Sequence, residues 1–177
     1  MKMDLRSNTW KITKYFPSSK AKSCLFGKYG FCVSIHLIDI EAVGNWAKAE
    51  KSVAYSGYTD LASRDEIYDL IYECVESVNV DLARDYKLRG SQILRFLILH
   101  KELDADDGEL TRTRKVRRNI IADRYQPLID ALHDESKTHC SIETEMTFED
   151  GRKGTVEADL RIMNLQKINT PVHAKAA

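Results

Sequence analysis

ILRFLIL, residues 93–99, runs directly into HKELDADDGELTRTRKVRRNII, residues 100–121, and this junction decides how the chain folds. The first piece is apolar at every position except Arg95, the pattern of a central strand covered on both faces rather than one lying on water. The second piece changes charge along its length. Glu102, Asp104, Asp106, Asp107 and Glu109 come first, and Arg112, Arg114, Lys115, Arg117 and Arg118 follow. Beyond the loop, Val116, Ile120, Ile121, Tyr125, Leu128, Ile129 and Leu132 recur at helical spacing, with Pro127 expected to kink the helix they define. A buried strand, a charge-segregated loop and an amphipathic helix therefore stand in that order, and loops set on rigid elements commonly carry function.

Working outward, Phe31, Val33, Ile35 and Leu37 alternate with Cys32, Ser34 and His36, which predicts a strand with one face buried. Asp39 is placed to cap a helix in which Ile40, Val43, Trp46 and Ala47 share a face. A longer helix is expected from Arg64 to about Ala83. Its stripe is Ile67, Leu70, Ile71, Cys74, Val75, Val78 and Leu82, with Ser63 and Glu66 forming a capping box and Cys74 read as a core residue. On the carboxyl side, Ile142, Thr144, Met146 and Phe148 face one way, as do Val156, Ala158, Leu160 and Ile162. Asp150-Gly151 between the two runs signals a hairpin. Strands interleaved with helices and closed by a hairpin give an α+β domain: a short central sheet, flanking helices and a C-terminal β-hairpin over about 141–163. A single domain is expected over residues 1–165, and residues 166–177, where periodicity is lost, are expected to form a flexible tail.

The chain has 177 residues, enough to bury a core without disulfide or metal support. Its 27 basic and 27 acidic residues balance, so electrostatic function must come from local placement rather than net charge. Cys24, Cys32, Cys74 and Cys140 never form C-x-x-C, which argues against a zinc ribbon or a redox dithiol and for reduced thiols in a cytoplasmic protein. His36, His100, His133, His139 and His173 have no paired metal-ligand spacing, and no metal site is expected; His100, at a strand end beside the loop, reads first as structural. No nucleophile elbow is present to support a hydrolase. MKMDLRSNTWKITKYF at the start lacks the apolar run of a signal peptide, and no stretch is long enough to span a bilayer.

Three readings of the basic run compete on residue types alone. It can be a solvated face, a grip on a polyanion, or a mount for one lysine aimed at a reacting phosphate. A nucleic-acid footprint is disfavoured because no aromatic residue interleaves with the cations to stack on bases. In Leu110 to Arg118, LTRTRKVRR resembles the last core motif of the AMP-binding synthetase and ligase family, the adenylate-forming enzymes. The long-chain acyl-CoA synthetase branch of that family carries L-T-P-T-x-K-x-[KR]-R, which aligns without a gap. Arg112 stands at the family's usual proline, which removes a restraint on φ from the loop. HLIDIEAVGNWA (36–47), GSQILRFLILHKELDADDGELT (90–111) and RRNIIADRYQPLIDALH (117–133) extend the resemblance over about residues 26–133.

The resemblance implies the small C-terminal domain of a long-chain fatty acid CoA ligase, a lid that rotates over a larger N-terminal domain holding ATP and the acyl substrate. It implies that Lys115 supplies the cation for adenylation, with Thr111, Thr113, Arg117 and Arg118 supporting the loop. It also implies ATP, magnesium and coenzyme A for the complete enzyme, with none of them bound by this chain alone. Neither the Ser/Thr/Gly-rich phosphate loop of such enzymes nor their Gly-Arg-x-Lys-Asp hinge stretch occurs in these residues. The chain is accordingly expected to be inactive alone and to need an N-terminal domain in trans. The alternatives are a non-catalytic module whose basic loop contacts nucleic acid or an acidic protein, and an inert remnant.

Overall fold

A computed structural model describes residues 21–28, 31–113, 115–147 and 153–169. Among these, a four-stranded sheet has the order β1-β2-β3-β6, and a separate two-stranded ribbon is made of β4 and β5. Strands β1 (Ala21–Lys28) and β2 (Phe31–Ile38) are antiparallel, β3 (Ile93–Ile98) lies parallel to β2, and the short β6 (Met163–Asn164) closes the other edge antiparallel to β3. The parallel β2–β3 pair requires a crossover. It is supplied by helices α1 (Ile40–Lys51), α2 (Tyr58–Ser63) and α3 (Asp65–Arg84).

Those three helices cover one face of the sheet. Helices α4 (Arg118–Arg124) and α5 (Gln126–His133), with the ribbon of β4 (His139–Thr147) and β5 (Lys153–Arg161), cover the other. The two hydrophobic clusters follow from the two-residue period of the central strands. Cys32, Ile38, Phe96 and Ile98 belong to the first, and Val33, Ile35, Leu37, Leu97 and Leu99 to the second. β2 is therefore buried on both faces, which corrects the one-sided strand expected from its alternation. The polar residues that suggested a wet face, Ser34 and His36, are fully buried and bond to each other, Ser34 Oγ lying 2.8 Å from His36 Nε2.

Helix starts are set locally. The Asp39 side chain accepts from the amides of Glu41 and Ala42 at 3.1 and 2.9 Å, the cap expected of it. The Ser63–Glu66 capping box does not form. Arg64 occupies the N-cap position of α3 with no side-chain cap bond, and Ser63 Oγ instead donates back to the carbonyl of Asp60 in α2 at 2.8 Å. The second helix begins directly after the first, and Ser63 is taken up in ending one rather than starting the other. The α3 stripe is buried as its spacing requires, except that Cys74 is only half-buried. Within that face Asn79 donates to the carbonyl of Ile93 at 2.7 Å and accepts from its amide at 2.8 Å, which fixes α3 against the start of β3.

The helix expected around Pro127 is two helices, because the proline has no amide to donate and sits in the first turn of α5, where none is needed. Val116 belongs to neither helix and forms an isolated bridge with Leu110. Strand β1, helix α2 and strand β6 had no expectation, and the hairpin tip with Phe148, Asp150 and Gly151 lies outside the described residues. Ile168, in the described part of the expected tail, exchanges two hydrogen bonds with the Gln92 side chain, at 2.9 and 2.8 Å.

Arg95, the single charge in the β3 run, is 3% exposed. Its guanidinium donates to the carbonyls of Ala131 at 3.2 Å and Leu132 at 2.9 Å, to those of Asp134 and Lys137, and to Asn164 Oδ1 at 2.7 Å. The cation thus satisfies the open carbonyl end of α5 and ties it to β6 across the sheet. Replacing Arg95 by Met, which keeps the aliphatic stem but leaves buried carbonyls unbonded, should lower unfolding free energy by about 3 kcal/mol. Urea denaturation is the check, and a midpoint within error of the parent would contradict this account.

Candidate functional site: the loop from β3 to α4

The segment from Lys101 to Arg117 folds back on itself. A turn at residues 104–110 is closed by the carbonyl of Asp104, which accepts from the amides of Glu109 and Leu110 at 3.0 and 3.1 Å. Gly108 within it has φ of 75°, a left-handed conformation that glycine adopts without the Cβ penalty. The outgoing and returning arms then pair. Arg117 N donates to Glu109 O at 2.9 Å, Leu110 bridges Val116, and Thr111 N donates to Lys115 O at 2.8 Å. These contacts make a short antiparallel clamp with Arg112 and Thr113 toward its tip.

Beneath the clamp lies a buried carboxylate. Glu109 is wholly inaccessible, and its Oε1 accepts from Tyr125 OH at 2.7 Å and Arg124 Nη1 at 2.8 Å. Its Oε2 accepts from Lys101 Nζ at 2.9 Å and the amide of Asp104 at 3.1 Å. Lys101, itself 3% exposed, also reaches Asp107 Oδ2 at 2.8 Å, and Arg124 Nη2 donates to Asp107 O at 3.0 Å. Burial alone would raise the Glu109 pKa. The bonds from Tyr125, Lys101, Arg124 and the Asp104 amide outweigh it and hold the carboxyl below its ordinary range. Burial first, then the bond to Glu109, drive the Tyr125 phenol upward, so it remains a donor.

Every anticipated site residue among the described ones sits on this clamp or at its foot. Lys115 is exposed on the returning arm, and its amide donates to Thr111 Oγ1 at 3.0 Å. Thr111 Oγ1 also lies 3.1 Å from Thr113 Oγ1, so the two threonine hydroxyls meet across the tip. Arg117 Nη1 donates to Gly108 O at 3.3 Å, and Arg118, exposed, opens α4. Arg114 lies outside the described residues. Among the described residues the acidic stretch does not neutralise the basic run. Asp107 and Glu109 pair with Lys101 and Arg124, and among the described residues Arg112, Lys115, Arg117 and Arg118 have no carboxylate partner. Sequence reasoning missed Lys101, Arg124 and Tyr125 as the support. Tyr125 was assigned only to the apolar stripe, and nothing in residue order pairs it with Glu109.

No three His, Cys, Asp or Glu side chains gather as metal ligands among the described residues, the four cysteines are free thiols, and no described helix is long and apolar enough to cross a membrane. Burial raises the Cys24 thiol to about 11, with Arg118 opposing weakly, and raises Cys32 to about 11 as well.

Comparison with known proteins finds long-chain-fatty-acid–CoA ligases. FadD15 of Mycobacterium tuberculosis is 28% identical over 105 residues, 59% of this chain and 17% of that protein. ACSBG1 of Mus musculus is 31% identical over 78 residues, 44% of this chain and 10% of its own length. ACSBG2 of Gallus gallus is 28% identical over 112 residues, 61% of this chain and 14% of its own. The chain thus matches less than a fifth of the length of each of these relatives. No family model and no solved structure matches it.

The buried titratable groups set a pH dependence. Burial holds His36 down at about 3, and burial followed by the charge of Lys101 lowers His100. Both have folded pKa values below the ordinary 6.5, so the stability they contribute is complete above that value and is lost as pH falls through the folded values. Glu109 behaves likewise below 4.5. Urea midpoints should therefore decline from neutral pH to about pH 5.5, and further by about pH 4. Glu109→Gln should cost about 3 kcal/mol near neutral pH and flatten the lower part of the decline. Midpoints that do not change across this range would refute the assignment.

Proposed function

We propose that this chain, which is similar over part of its length to long-chain-fatty-acid–CoA ligases, corresponds to their C-terminal portion and acts as a lid presenting Lys115 to a separate ATP- and acyl-binding domain. The observation that carries the reading is the exposed Lys115 on a clamp whose root is buried and whose neighbouring acids are already paired. A lysine on such a mount keeps its charge available while its backbone is constrained by the Thr111 bonds.

In the reaction so proposed, the carboxylate of a long-chain fatty acid attacks the α-phosphorus of ATP, the acyl-adenylate forms and pyrophosphate departs. Coenzyme A then attacks the acyl carbonyl through sulfur and AMP leaves. The first step brings two anions together and concentrates charge on phosphate oxygens, which a compact ammonium stabilises without needing a bidentate partner. At about 4 Å and an effective dielectric of about 20, a unit charge pair is worth roughly 4 kcal/mol before desolvation. ATP, magnesium and the acyl chain would be held by the partner domain, and the lid's contribution would be the positioned cation.

The test mixes the intact chain with a long-chain-fatty-acid–CoA ligase lacking its small domain and follows acyl-adenylate formation. The parent chain should restore adenylation, and Lys115→Ala should reduce that restored rate by about two to three decades. Failure of the parent to restore activity, or equal restoration by Lys115→Ala, would defeat the proposal. Nucleic acid that co-purifies with the chain and dissociates steeply with salt would point instead to a non-catalytic binding module.

A further inference from the structure

Where the carboxyl end of β3 meets the β4–β5 ribbon and the α2–α3 junction, the structure has a cleft of about 390 Å³. That volume falls in the range of small-molecule sites, and the carboxyl end of a strand beside its parallel neighbour is a usual place for one. Two features of the cleft have no structural purpose of their own. His100, which lines it, is 3% exposed, yet neither Nδ1 nor Nε2 has a hydrogen-bond partner among the described residues, although its carbonyl is held by Thr59 Oγ1 at 2.9 Å. Leaving both nitrogens of a buried imidazole unbonded is costly; the hydroxyls of Ser91 and Thr144 are also buried without a partner among the described residues, but the larger polar groups of Asn79 and Arg95 are bonded.

The second feature is charge. Asp65, Glu157 and Asp159 line the cleft, and Arg161 is the only Lys or Arg among its described lining residues. That guanidinium is already engaged, 2.7 Å from Asp65 Oδ1 and 4.2 Å from the Tyr68 ring centre. Glu157 and Asp159 stand two residues apart on one face of β5, about 7 Å along the strand. Directly opposite Glu157 in the ribbon register is Glu143, and Ser141 is opposite Asp159. Like charges facing each other across a ribbon are destabilising, so a row of carboxylates here is a cost that a bound cation would relieve.

We propose that this cleft binds a small linear aliphatic polyamine, with one nitrogen hydrogen-bonded to His100 and the others set against Glu157 and Asp159. A linear amine fits better than a compact cation because the acids are spread along the strand rather than gathered around a point, and no metal-ligating cluster exists among the described residues. The imidazole is neutral near physiological pH, so one ring nitrogen is free to accept from an ammonium.

The test is an amide and imidazole NMR titration of the intact chain with spermidine. Saturable shifts should map to His100, Glu157 and Asp159, and the double variant Glu157→Gln with Asp159→Asn should bind at least about tenfold more weakly. His100→Phe separates ligand binding from structure. Replacing an unbonded buried imidazole by an apolar ring should leave the urea midpoint unchanged or higher while weakening spermidine several-fold. Lys115→Ala should bind as the parent does, so this result stands or falls independently of the lid proposal. Shifts that do not saturate, that map to the Asp104–Asp107 turn, or that persist unchanged in the double variant and in His100→Phe would overturn it.

Discussion

The structure of the loop depends on one carboxylate that has no access to water. Glu109 receives a phenol, a guanidinium, an ammonium and a backbone amide from two separate stretches of chain: Tyr125 and Arg124 at the α4–α5 joint, and Lys101 and Asp104 between β3 and the turn. Stripped of any one donor, the anion would carry an uncompensated desolvation cost of several kcal/mol. The contact therefore works as a geometric constraint more than as a store of stability. An apolar cluster of equal volume could replace its energy, but it would not fix which residue of the loop meets which residue of the helix. The antiparallel clamp above it inherits that register through the bond from Arg117 N to Glu109 O.

From this follows the division between root and tip. The root is buried and charge-paired, and the tip is exposed and holds cations without carboxylate partners among the described residues. A chain of zero net charge can in this way still present a local positive field. The separation is possible because the acids come first along the loop and fold inward, where Lys101 and Arg124 meet them. Had Asp107 and Glu109 faced outward, Arg112 and Lys115 would have found partners within the loop and the tip would be neutralised.

Much of this was readable from residue order, and the exceptions share a cause. The β3 run, the α3 stripe, the Asp39 cap and the pairing of the last two long strands all rest on local periodicity or on a cap within three residues, and local patterns survive tertiary packing well. Misreadings occurred where a polar side chain took a partner that the apolar or capping pattern did not single out. Ser34 and His36 looked like a wet strand face because their alternation is polar, yet they satisfy each other inside the sheet. Ser63 looked like a cap for α3 and serves α2 instead. Tyr125 fell on the apolar stripe, and its hydroxyl, which makes it part of the site's support, bonds a residue 16 positions earlier. The short β6 carries no signal of its own, since two residues cannot show a period.

The same principle shows why two unusual polar residues, one within β3 and one just after it, have different consequences. Arg95 and His100 lie on either side of the β3 carboxyl end, both 3% exposed and both polar in an apolar setting. Arg95 arrives with five donors in a planar fork and meets the converging carbonyls at the end of α5, so its burial closes a helix terminus and joins two layers across the sheet. His100 lines a cleft, and neither of its ring nitrogens has a hydrogen-bond partner among the described residues. In an interior where isolated polar atoms are expensive, the first arrangement is accounted for within the domain. The second is not accounted for by the described residues, and a cation entering the cleft, as proposed, would bond one of its ring nitrogens.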